Sequence, residues 1–129
     1  YRFSKVHYGD SYESTLSNSD LVLTASGTTI WELIVRKIAF GVVCVAKNQL
    51  GNFNYLIENS LAYPIGKLNE SDVLEIDESA LINLISNSEI RNKLRQNLRE
   101  IDIGNGSKLI CDLSLINLSF RALSVRVVH

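Results

Sequence analysis

Asp20-Leu21-Val22-Leu23-Thr24-Ala25-Ser26-Gly27-Thr28-Thr29-Ile30-Trp31-Glu32 is the stretch whose reading decides the fold. Leu21–Leu23 is a short apolar run without a polar interruption, as expected of a strand covered on both faces. Ala25-Ser26-Gly27 lets the backbone turn sharply and allows another molecule to approach closely. Thr29-Ile30-Trp31-Glu32 fits the T-x-x-E capping box and predicts a helix start. A strand that feeds a helix through small residues leaves backbone N–H groups and a positive dipole end at the strand's carboxyl tip. Such a place suits an anion.

Working outward, Thr29–Lys37 reads as a helix, with Ile30, Leu33, Ile34 and Ile38 as its apolar stripe and Arg36 and Lys37 near its C-terminus, where the dipole favours cations. Phe40–Ala46 is the most apolar run of the chain and is β-branched in its middle, which predicts a second central parallel strand. Lys47–Asn52 then reads as a polar loop at that strand's carboxyl end, followed by a helix at about Asn52–Ser60 that buries Phe53, Leu56 and Ile57.

Ala62–Ile65 holds the only proline, Pro64, and reads as a short edge strand because proline cannot donate to a central ladder. Asn69–Asp77 reads as loop or partly strand. Glu78–Asn87 and Ser88–Glu100 are two predicted helices, lined by Leu81, Leu84 and Ile85 and by Ile90, Leu94, Leu98 and Ile101. Before the deciding stretch, Asp10–Ser19 is a short predicted helix with Tyr12 and Leu16 inward, while Tyr1–Gly9 carries little pattern. After Gly104-Asn105-Gly106, Ser107 can cap a helix through Leu113. The alternation of Leu118, Phe120 and Ala122 suits a strand or the opening of a further segment. Alternating strands and helices give an α/β domain of Rossmann-like, three-layer design with a parallel sheet, placed at residues 1–116, with 117–129 as a tail or the start of something further.

The chain has 129 residues and a formal net charge of −1, enough length for one real core and no electrostatic case for nucleic acid or an anionic membrane surface. No apolar run approaches the roughly 18 residues of a membrane span, and no secretory n-region and h-region opens the chain. Cys44 and Cys111 lie far apart without metal-ligand spacing, which favours a reducing compartment and a cytoplasmic location. A metal site on His7 and His129 is not expected, and no cofactor is implied. Methionine is absent and the first residue is Tyr1, so the chain is expected to be a piece of something longer.

Ligands of open parallel sheets bind beyond the carboxyl ends of the strands. There the two loops offer the hydroxyls of Ser26, Thr28 and Thr29, the backbone of Gly27, the carboxylate of Glu32, and the amides of Asn48, Gln49 and Asn52. Hydroxyls and N–H groups suit phosphate oxygens, and a carboxylate suits ribose hydroxyls. The plainer alternative is that Glu32 only closes the capping box and the amides only cap the next helix. Trp31 is expected in the core rather than as a base-stacking platform, and Arg91, Lys93, Arg95 and Arg99 as a solvated basic face.

These letters resemble the C-terminal domain of GT-B nucleotide-sugar enzymes, over residues 12–113. Nearest are the UDP-sugar hydrolases of pseudaminic acid and spore-coat polysaccharide synthesis and the lipid-II-forming N-acetylglucosaminyltransferase. In that family a strand leads through a small-residue turn to a helix carrying a glutamate, and the next strand ends in a glutamine/asparagine-rich loop. The matching residues here are Ser26, Gly27, Thr28, Thr29 and Glu32, then Asn48 and Gln49. Ile103-Gly104-Asn105-Gly106 resembles the family's late D-G-x-G turn, with Asp102 displaced or the aspartate substituted. The resemblance implies that Glu32 binds ribose, that the turn faces the diphosphate of a UDP-sugar, and that an N-terminal GT-B domain of the same parent chain supplies the other wall. Lys47-Asn48-Gln49 is closer to the hydrolase branch than to the transferase's double-glutamine loop. Neither a nucleophile nor a general base is identifiable. A hypothesis of another class is a non-catalytic α/β module that binds a protein partner and exposes an apolar patch elsewhere.

Overall fold

The computed structural model describes residues 2–6, 9, 11–101 and 122–126. Its elements in chain order are β1 (Arg2–Val6), α1 (Tyr12–Ser17), β2 (Leu21–Ala25), α2 (Thr29–Arg36), β3 (Phe40–Cys44), α3 (Leu50–Glu58), β4 (Tyr63–Leu68), β5 (Leu74–Ile76), α4 (Glu78–Ser86), α5 (Ser88–Arg99) and β6 (Ala122–Arg126). They form an α/β structure around one six-stranded sheet of order β1-β6-β2-β3-β4-β5.

The middle of the sheet is parallel: β3 pairs in parallel with β2 on one side and β4 on the other. The apolar run at Phe40 therefore is the central parallel strand that its composition predicts. The margins differ from the all-parallel expectation. β5 returns antiparallel to β4 across a short turn, which is too short for a parallel crossover. β6 lies antiparallel between β1 and β2. Within the stretch 117–129, Ala122–Arg126 is thus a strand of this same sheet.

Period-two alternation gives each face of the sheet its own core. Val22, Phe40, Val42 and Cys44 point to one face, with Tyr12, Leu16, Ile30, Leu33, Phe53 and Leu56 of α1, α2 and α3 packed on them. Leu21, Ala39 and Ile65 point to the other, beneath Leu84 of α4 and Leu94 of α5. Helix α5 begins over the second face and ends on the first, where Leu98 is fully buried.

Pro64 does not mark an edge. β4 is paired on both sides, and the β3–β4 register jumps between Val42↔Pro64 and Val43↔Gly66. A ladder irregularity is where a central strand tolerates proline's missing N–H. The basic face expected on α5 is also corrected. Arg91 is buried and donates to the Leu84 and Ile85 carbonyls at the end of α4. Arg95 donates to the Asp20 carbonyl at 2.6 Å, tying α5 to the residue before β2. Partial burial and the nearby Arg91 lower the Arg95 pKa from the ordinary arginine value. The readings at His7, Asp102–Gly106, Ser107–Leu113, Cys111 and His129 lie outside the described residues.

Candidate functional site at the carboxyl ends of two parallel strands

Adjacent parallel strands place the loops that follow them side by side, and here the two loops are bonded together. The Ser26 N–H donates to the Val43 carbonyl at 2.9 Å. The Ser26 hydroxyl donates to the Gln49 carbonyl at 3.3 Å, and the Asn52 amide donates to the Ser26 carbonyl at 3.4 Å. Ser26 is therefore the pin of the site: it is fully buried and spends its hydroxyl on the neighbouring loop.

Lys47–Asn52 is not an irregular loop. Lys47–Gln49 is a 3-10 turn that runs directly into α3 at Leu50. This turn leaves Asn48 exposed, whereas Gln49 folds back so that its side-chain oxygen accepts the Val45 N–H at 3.2 Å. Lys47 reaches the opposite way, 3.5 Å from Asp72 in the β4–β5 turn.

The capping box is corrected by the same geometry. The N-cap of α2 is Thr28 rather than Thr29, and its side chain makes no cap hydrogen bond. Thr29 is buried, and Glu32 turns away from the helix start. Both oxygens of Glu32 are engaged: Oε2 accepts from the Tyr12 hydroxyl at 2.8 Å, and Oε1 accepts from Arg36 Nε at 3.1 Å. Arg36 Nη2 continues to Glu13 at 3.1 Å. Partial burial works against the Arg36 charge, but Glu32 and Glu13 outweigh it and raise its pKa above the ordinary value. Glu32 itself is 4% exposed.

The structure thus sorts the sequence-predicted residues. Asn48 is exposed, and Gly27, Thr28 and Gln49 reach the surface in part. Ser26, Thr29 and Glu32 lie beneath them as support. Sequence reasoning missed Tyr12 and Arg36 as partners of Glu32. The i,i+4 spacing of Glu32 and Arg36 carries a readable signal, but the Tyr12 contact spans 20 positions and has none.

Trp31 is half-buried against the first core, its ring centroid 6.3 Å from that of Tyr55. Cys44 is buried, and its thiol donates to the Ala46 carbonyl at 3.3 Å, so it acts as a packed side chain. Among the described residues no cluster of His, Cys, Asp and Glu could hold a metal ion, and no helix is long and apolar enough to cross a membrane. What the turns offer is a helix start with its N-terminal N–H groups beside the exposed Asn48 amide, with Lys47 of the second turn held at Asp72, which suits a phosphate-bearing ligand. No protein-family model, curated protein or solved structure matches the chain.

Proposed function

We propose that this chain is the nucleotide-sugar-binding, C-terminal half of a GT-B-type enzyme with a Rossmann-like design. In this reading the parent is a UDP-sugar hydrolase of surface or coat polysaccharide or nonulosonic acid biosynthesis. A glycosyltransferase with a UDP-N-acetylglucosamine donor shares this half and is the alternative. The observation that carries the proposal is the bonding of the Ser26 turn to the Lys47–Gln49 turn at the carboxyl ends of two adjacent parallel strands.

The diphosphate would lie against Gly27 and Thr28 at the start of α2, with Asn48 facing it from the second turn. Glu32 enters this reading mainly as the anchor of α2. A ribose hydroxyl would have to reach a carboxylate that is 4% exposed and already accepts from Tyr12 and Arg36. Catalytic groups would come from the N-terminal domain of the parent, so this chain alone should not turn over a UDP-sugar.

Titration with UDP, followed by backbone amide shifts, tests the proposal. Perturbations should cluster at Gly27–Glu32 and Lys47–Asn52. If UDP moves no amide in either turn, the nucleotide reading fails. A protein-binding module then takes its place, a reading favoured by the exposed aliphatic side chains Val73, Leu74 and Ile76.

A further inference from the structure

The β4–β5 hairpin ends the sheet opposite β1. The Val73 carbonyl accepts the Asn69 N–H at 2.9 Å just beyond β4, and the Asp77 N–H donates to the Ile65 carbonyl at 2.7 Å. Antiparallel pairs alternate, and the register runs Gly66↔Ile76, Lys67↔Glu75 and Leu68↔Leu74. Val73, Glu75 and Asp77 therefore turn their backbone groups toward β4, and Leu74 and Ile76 turn theirs outward.

Side chains on this edge are exposed in an unusual combination. Val73, Leu74 and Ile76 are 57%, 42% and 44% exposed. Ile76 shares its face with a hollow of about 420 Å³ walled by Phe53 and Pro64 and floored by Gly66. The opposite face carries Glu75, which lies across from Lys67 and accepts from the Asn69 amide at 2.9 Å through one carboxylate oxygen. Residues 69–78 hold Glu70, Asp72, Glu75, Asp77 and Glu78 and no Lys or Arg; the lysines that meet them are Lys47, 3.5 Å from Asp72, and Lys67, across from Glu75, so the acidic side chains stay in excess.

We propose that the outer edge of β5 receives an extended peptide segment that alternates aliphatic and cationic side chains, adding a strand to the sheet. Backbone groups of Leu74 and Ile76 provide the hydrogen bonds, as in other edge-addition complexes. Period-two alternation places one set of the partner's side chains beside Leu74, Ile76 and the hollow, and the other beside Glu75. The acidic surroundings select lysine or arginine for that second set.

The test uses a blocked hexapeptide of alternating valine and lysine, with an alternating valine and glutamate peptide as its counterpart. The lysine peptide should shift the Leu74 and Ile76 amides, weaken with added salt, and outcompete the glutamate peptide. Leu74→Pro removes an outward N–H without touching the β4 ladder, and should weaken binding about tenfold. Glu75→Gln, which keeps an acceptor for the Asn69 amide and sets no second cation across from Lys67, should reduce the preference for the lysine peptide with the UDP response unchanged. Equal binding of both peptides, no shift at β5, or indifference to Leu74→Pro would overturn the proposal. So would self-association through this edge, abolished by Leu74→Pro, without peptide binding, because it would assign the edge to a second copy.

Discussion

The Tyr12 hydroxyl on α1 donates to Glu32 on α2 at 2.8 Å, across 20 positions of sequence, in a setting where both residues are buried. This bond fixes the helix start beside the Ser26 turn, because Glu32 lies on the first turn of α2. Tyr12→Phe keeps the ring and removes the hydroxyl. It should cost about 1–3 kcal/mol, the range for leaving a buried acceptor short of a partner, measured as a lower urea midpoint at unchanged m.

Tyr12→Phe also separates two ways for UDP to meet the site. If ribose competes for Glu32, removing the phenol should tighten UDP binding. If the ligand stays on Gly27, Thr28 and Asn48, affinity should be unchanged. Calorimetric titration of the two proteins reads the difference.

Arg91 gives a prediction in the other half of the molecule. Its guanidinium closes the end of α4 by donating to the Leu84 and Ile85 carbonyls. Arg91→Met retains much of the stem and deletes the donors. About 1–3 kcal/mol of stability should be lost. The α4–α5 junction should gain amide exchange ahead of β2 and β3. Uniform exchange across the chain would show that Arg91 does not act locally.

Most of the central sheet was legible because strong local patterns agree with the tertiary environment there. Leu21–Leu23 and Phe40–Cys44 lack polar interruptions, and both lie between helical layers. The stripes of α2, α4 and α5 follow the same logic. β1 was not legible: Arg2-Phe3-Ser4-Lys5-Val6 has no apolar rhythm, and its partner β6 comes from the far end of the chain. Pro64 misled because the rule excluding proline from central strands has an exception at ladder irregularities, and register is invisible in sequence. At the site, spacing located Ser26, Gly27, Thr28, Thr29, Glu32, Asn48 and Gln49 around two neighbouring turns. It could not say which side chains face outward. That depended on the 3-10 turn at Lys47–Gln49 and on Tyr12 arriving from α1.

Two glycines are held by different neighbours, and the difference is measurable. A Cβ at Gly41 would meet the ends of the Ile65 and Leu84 side chains, whereas one at Gly66 would meet the Glu75 carbonyl of β5. Side-chain ends can shift, but the backbone of a paired strand cannot without opening the hairpin. Gly66→Ala should therefore cost more than Gly41→Ala, with both falling within roughly 1–3 kcal/mol. Equal losses would mean that the β4–β5 hairpin yields as easily as the core.

Glu32→Gln and the double variant with Tyr12→Phe decide what the carboxylate is for. A closed capping box would let the amide stand in for the acid at almost no cost, but here the side chain serves Tyr12 and Arg36. Glutamine can keep its oxygen on Arg36 and turn its NH2 to the Tyr12 oxygen, since a phenol both donates and accepts. The single change then loses the charge assistance of the Arg36 bond and should cost about 1 kcal/mol. In the Tyr12→Phe background the NH2 has no phenol to meet, so Glu32→Gln should leave a buried donor unsatisfied. If the two costs simply add, Tyr12 and Glu32 do not act as a unit. A coupling of about 0.5 kcal/mol or more, with UDP affinity unchanged in the single Glu32→Gln variant, would make the carboxylate an anchor of α2. A UDP affinity that falls about tenfold in that variant would instead place the carboxylate on the ligand.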